Sequence, residues 1–173
     1  MPETYTIQER IITALCSQLE TIRTDRGYGT DMGANVLLAP LQIDTEDMPA
    51  VAVFPGVEES DRLYGAQENR MPVEIKAILS HAESNPAIVG ARALGDVIRC
   101  VLFREEPEGP EEPEEPEEPA WPTEGTYWPL VADLEYKGGG VEEYPGQDDT
   151  VTMVSVMFEV TYLTDIGNPY TQP

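Results

Sequence analysis

Residues 150–163 read TVTMVSVMFEVTYL, and in them Val154, Val156, Phe158, Val160 and Tyr162 recur at every second position. A period of two puts these five side chains on one face of a β-strand. Val151, Met153 and Met157 share the opposite face with Ser155, Glu159 and Thr161. A strand with apolar residues on both faces is packed on each side for part of its course. A second alternation runs from Met71 to Leu79, with Val73, Ile75, Ala77 and Leu79 facing one way and Glu74 and Lys76 the other.

Around these strands the period changes. From Thr6 to Ile22, residues Ile7, Ile11, Leu15, Leu19 and Ile22 recur at helical spacing, with Ile12 and Cys16 widening the stripe. Thr6 and Glu9 stand three apart, as a capping box requires. Asn85 and Pro86 open a second helix as N-cap and first helical residue. Its apolar face is read as Ile88, Ala91, Leu94, Ile98 and Val101, broadened by Val97 and Leu102, and it ends near Arg104. Shorter strands are predicted over 35–43, where Pro40 indicates an edge or a bulge, over 50–54, and over 130–136. Residues 57–70 read as a long polar loop and Lys137–Gly140 as a flexible turn. The order predicts an α+β fold: a mostly antiparallel sheet of four or five strands, two helices packed on one face, and long loops.

At 173 residues, chain 1–173 is expected to form a single domain that buries roughly two-thirds of its unfolded surface. Its 33 acidic and 10 basic residues give a net charge of −23. Residues 105–119, EEPEGPEEPEEPEEP, supply part of that, but the rest of the chain is acidic too. This run reads as a low-complexity insert between the second helix and the C-terminal strands. With nothing apolar to bury, it predicts an extended, polyproline-like arm. Such charge repels phosphate, which argues against sequence-independent nucleic-acid binding. Two cysteines, Cys16 and Cys100, are too few for a disulfide framework and read as buried thiols. With no apolar signal region and no apolar run near the ~18 residues that span a bilayer, a soluble, cytoplasmically made protein is expected.

The sequence assigns no catalytic, cofactor-binding or metal-ligating residue. His81, the only histidine, has no cysteine near it in sequence and reads as a solvent-facing strand end. Residues 25–35, DRGYGTDMGAN, fail as a nucleotide loop, lacking the Gly-Lys-Ser/Thr ending, and as a calcium loop, whose twelfth position holds Val36. Their glycines read as turns with positive φ. The pairs Glu142-Glu143 and Asp148-Asp149 are adjacent in predicted loops, where solvation keeps both members ionised. Loop aromatics are more suggestive. Trp121, Tyr127 and Trp128 follow the acidic run, and Tyr28, Tyr64, Tyr144 and Tyr170 are placed in loops or at the tail. They serve either as interface anchors or as cover for the open end of the sheet.

The segments LETIRTDRGYGTDMGANV (19–36), DMPAVAVFPG (47–56), MPVEIKAILSH (71–81) and VSVMFEVTYLTDIGNPY (154–170) resemble the tail terminator, or tail-to-head joining, proteins of double-stranded DNA bacteriophages. The resemblance covers most of 5–104 and 130–170 but not the Glu/Pro run. It implies a homo-oligomeric ring, typically a hexamer, that caps the tail tube, ends tube polymerisation and meets a head-side connector. Tail tube protein and connector are then the partners, and DNA passes through the lumen without specific binding. The implied location is the virion neck, with assembly in the host cytoplasm. Self-repulsion in such a ring favours contacts where the few basic residues meet acidic neighbours. Arg23 and Arg26, beside Tyr28, are the chosen subunit contacts, with Trp121, Trp128 and Tyr144 as further interface candidates and Arg62, Arg70 and Arg92 as reserves. The plain alternative is solvated helix-end arginines. Other readings are a different neck, connector or baseplate-tube component, or an acidic DNA mimic inhibiting a host DNA-binding enzyme. Carboxylates packed at three-residue spacing in one segment argue against the mimic.

Overall fold

The computed structural model describes residues 4–81, 85–102, 128–143 and 150–173. Helix α1 spans Ile7–Leu19 and α2 spans Pro86–Leu102. The strands are β1 (Val36–Leu38), β2 (Ala50–Pro55), β3 (Glu59–Leu63), β4 (Ala66–Ser80), β5 (Asp133–Glu143) and β6 (Val151–Asp165). Their order across the sheet is β1-β2-β4-β6-β5, with β3 paired to β4 beyond the end of β2. All pairings are antiparallel except β1 with β2.

Both helices lie on one face. α2 covers β6, β5 and β4, while α1 covers β1, β2 and α2. The core between them joins Ile7, Ile11, Leu15 and Leu19 of α1 to Val73, Ile75, Val156 and Phe158 of the sheet. The alternation read in 150–163 holds: Val154, Val156, Phe158, Val160 and Tyr162 are all buried under the helices. The capping box forms as expected, with Thr6 N donating to Glu9 Oε2 at 2.7 Å and Glu9 N to Thr6 Oγ1 at 3.1 Å. α1 stops three residues before Ile22, which is nonetheless fully buried in the turn that follows.

Three expectations are corrected. Residues 57–70 are no loop: β3 and the first five residues of β4 form a hairpin, Leu63 pairing with Ala66 across a Tyr64-Gly65 turn. Solvent bathes every side chain of β3, so ESDRL has no apolar alternation to reveal it. Pro72, inside β4, does not break the strand. It lies where β4 changes partner from β3 to β2, and its carbonyl accepts Gly56 N at 2.7 Å on that side, so all it forgoes is the return bond to Gly56, just past the last paired residue of β2.

Second, Lys137–Gly140 is part of β5. A bulge falls between Tyr136 and Gly138, and a Cβ on Gly139 would sit 2.7 Å from Ser155 O and 3.0 Å from Leu94 Cδ1. Gly139 is required by the close approach of the β6 backbone and of α2, and Gly138 by its φ of +143° at the bulge. Third, α2 is rotated from its expected phase. Val89, Gly90, Ala93, Asp96, Val97, Cys100 and Val101 face inward, while Ile88 and Ala91 are exposed and Leu94 and Ile98 lie at the boundary. Small residues occupy the inner face because the helix approaches closely: a Cβ on Gly90 would meet Val141 Cγ2 at 2.6 Å.

Of the strand expected over 35–43, only 36–38 forms, and Ala39 then takes φ +43. The Glu/Pro run 105–119 lies outside the described residues.

Candidate functional site

The loop after α1 is folded onto α2 by a buried carboxylate. Asp96 accepts from Gly29 N at 3.0 Å and from Thr30 Oγ1 at 2.6 Å. Two further devices shape the loop. Asp31 Oδ1 accepts from Thr24 N at 2.8 Å and Thr24 Oγ1 at 2.9 Å, and these bonds hold its carboxyl below the usual range. Gly33 packs on the end of α1, where a Cβ would stand 2.5 Å from Leu19 O and 2.8 Å from Ile22 O. Of the glycines in 25–35, only Gly27 has positive φ, at +80°. Gly33 is required by close contact with backbone carbonyls instead, and Gly29 lies under the movable Arg92 side chain, which corrects the expectation that all supply turns.

This folding gathers arginines. Arg99 of α2 donates from Nη1 to Gly27 O at 2.7 Å and lies 4.8 Å from the Tyr28 ring centroid. Arg92, two turns earlier on the same stripe, packs on Gly29 so closely that a Cβ there would be 2.4 Å from its Cγ. Arg23 and Arg26 flank the same turn, Arg23 O accepting from Arg26 N at 3.0 Å and Tyr28 N at 3.2 Å. Among the described residues, none of these four arginines has a carboxylate within ion-pair distance. Between them Gly95, Ile98, Arg99 and Leu102 line a mostly apolar pocket of about 360 Å³ on the outer side of α2.

Beneath the patch the contacts are tight. Cys100 Sγ donates to Gln18 O at 3.2 Å, and burial pushes both its thiol and that of Cys16 up. Burial, with the Cys100 thiol alongside, also raises the Tyr28 hydroxyl. Cys100 is buried and Cys16 half-buried, and both are free thiols.

The other basic residues are engaged elsewhere. Arg70 is held by Glu68 at 2.5 Å and Asp61 at 3.5 Å. On the helix-free face of the sheet, Lys76 lies between Glu74 (3.4 Å) and Glu142 (3.1 Å), and Lys137 between Glu135 (2.6 Å) and Glu159 (3.1 Å). Ser155 Oγ adds a 2.8 Å bond to Glu74. Each lysine there meets two carboxylates, so that face stays acidic, while on the α2 side the arginines stand clear of direct ion pairs among the described residues, Asp31 lying close enough to Arg23 for its carboxyl to be lowered in part by it.

The structure thus brings Arg23, Arg26, Tyr28 and Arg92 together, and adds Arg99 and the buried Asp96, which the sequence reading misses. Arg62 stands apart on β3. Trp121 and Tyr144 lie outside the described residues. Trp128 opens a short turn, Trp128–Leu130, its side chain also outside what is described. His81 is half-buried rather than solvent-facing, with Nδ1 2.9 Å from Thr152 Oγ1. Among the described residues, no group of three or more His, Cys, Asp and Glu is placed to hold a metal ion, and no helix is long and apolar enough to cross a membrane.

Compared with known proteins, the chain matches no family model and no curated protein sequence.

Proposed function

We propose that this protein is a structural, non-catalytic subunit of a phage particle, assembling as a ring at the top of the tail tube. The ring ends tube polymerisation and offers a surface to the head-side connector while DNA passes through. One observation carries the reading: in a chain of net charge −23, four arginines with no ion-pair partner among the described residues converge around Tyr28 and an open apolar depression on α2. Charge divided between two surfaces favours head-to-tail contact between copies, and such contacts close into a ring when the rotation between neighbours allows. The acidic sheet face, turned to the lumen, repels phosphate and lets DNA slide. The resemblance of residues 19–36, 47–56, 71–81 and 154–170 to tail terminators supports the place in the particle.

The test combines mass in solution with negative-stain imaging beside purified tail tubes. A ring seated on tube ends is expected. A chain that stays monomeric and ignores tube ends would refute the proposal. Deleting the gene separates neighbouring roles: tails of uncontrolled length fit termination, whereas normal tails that fail to join heads fit a connector.

A further inference from the structure

The β3–β4 hairpin carries two large apolar side chains into solvent at its tip. Tyr64 is fully exposed and Leu63 nearly half exposed, and Ile166 beside them is equally open. The hairpin is not floppy at its base. Asn69, buried, donates to Thr164 Oγ1 at 3.0 Å and accepts from Ser60 Oγ at 2.7 Å. Tyr162, under the helices, donates its hydroxyl to Glu58, and burial followed by that bond raises its pKa. Along the hairpin flank the carboxylates of Glu58, Glu59, Asp61, Glu68 and Asp165 outnumber Arg62 and Arg70. The projection therefore has an apolar end and an acidic shaft.

The pocket on α2 has the opposite character. It is lined by Gly95, Ile98, Leu102 and Arg99, and Arg99 is bonded to Gly27 O of the turn that carries Arg23 and Arg26. The depression is open and lined by one face of α2 alone, so it offers the apolar tip a surface to lie against. We infer that the Leu63–Tyr64 tip of one copy seats in the α2 pocket of a second copy, with the acidic shaft against these arginines. This rests on the ring reading above and names its contact.

The pairing is between copies because the hairpin cannot reach its own pocket. The turn pairs with Asp165, nine residues along β6 from Val156, beside which Leu94 touches Gly139; at ~3.3 Å per residue that is about 30 Å. Running straight toward the turn, α2 would recover only about 12 Å of this between Leu94 and Leu102. A protrusion on one surface and a pocket on another make a heterologous contact.

The test uses full-length chains and light scattering or mass photometry. Leu63→Ser/Tyr64→Ser removes the tip, where both side chains are solvent-exposed. Gly95→Phe covers the depression with a ring, and a Cβ at Gly95 meets nothing within 4 Å, so the substitution starts without a backbone clash. Each variant alone should lose at least about 30-fold in self-association, the scale of an aromatic anchor. Mixed, they should form a one-to-one pair and no larger species, the intact tip of one entering the intact pocket of the other. Assembly of both variants like wild type would overturn the contact while leaving the ring. So would two monomeric variants that fail to rescue one another. Wild type that remains monomeric even with tube ends present would overturn both. Assembly only after removal of residues 105–119 would assign the arginines to that acidic run and refute the hairpin.

Discussion

Asp96→Ala should detach the 23–30 loop from α2. The carboxylate accepts two hydrogen bonds, at 3.0 Å from Gly29 N and 2.6 Å from Thr30 Oγ1, and it is 7% exposed. Hydrogen bonds to charged groups contribute about 1.5–3 kcal/mol each, and a buried partner left unpaired adds to the loss. Gly29 is exposed enough for water to replace one bond, while Thr30 is buried and keeps its penalty. The expected cost is therefore about 2–4 kcal/mol. For a chain of this size that lowers Tm by about 5–15 °C. Urea titration followed by circular dichroism should show a lower midpoint with an unchanged slope. Hydrogen exchange should accelerate first in residues 24–34. Thr30→Val in combination gives the decisive cycle: a coupling of about 0.5–3 kcal/mol is expected. Strict additivity, or a single-variant effect below about 0.5 kcal/mol, would refute the claim that this carboxylate holds the loop.

Gly33→Ala, driving a Cβ onto three backbone carbonyls, should destabilise by about 1–3 kcal/mol in the same titration. Gly27→Ala meets no neighbour, and its cost of about 1–2 kcal/mol is that of holding φ at +80°. For Cys100 the folded state favours the neutral thiol, its pKa raised chiefly by burial. That contribution is complete below the unfolded thiol pKa and is lost as pH rises toward the folded value. Urea midpoints should thus decline from about pH 8.5 upward, and decline less in Cys100→Ala. Native Cys100 should also resist alkylation until the chain unfolds, as read by mass spectrometry. Phe158→Ala should cost about 3–5 kcal/mol, since the ring is buried beside Tyr136 at 5.7 Å. Deleting residues 107–119 should leave melting cooperative in calorimetry, and a broad, uncooperative transition would mean the run is needed for the fold.

What the sequence made legible follows from what each segment faces. β6 and the second half of β4 have one buried face, so selection of β-branched residues at every second position leaves a readable trace. α1 announces itself through a stripe of large aliphatics and a side-chain cap. α2 is legible as a helix but not in its phase, because its inner face is built from Gly90, Ala93 and Asp96, which hydrophobicity ranks below the exposed Ile88. β3 has water on both faces and therefore no pattern. Gly33, Gly90 and Gly139 answer to neighbours that only the fold brings beside them, so their purpose is invisible along the chain. The candidate patch divides the same way. Arg23, Arg26 and Tyr28 are neighbours in sequence and read together there, whereas Arg99 reaches them only through a turn of the fold held by Asp96.

The shared ladder of β4 and β6 has a mechanical consequence. Fifteen residue pairs run without a register break from Ala66–Asp165 to Ser80–Val151, and the Tyr64-Gly65 turn lies at one end of them. A tug applied at that tip travels along β4 and loads the rungs in shear, all at once, instead of peeling them one after another. Whatever grips the turn is pulling on a stiff rod anchored through the whole width of the domain.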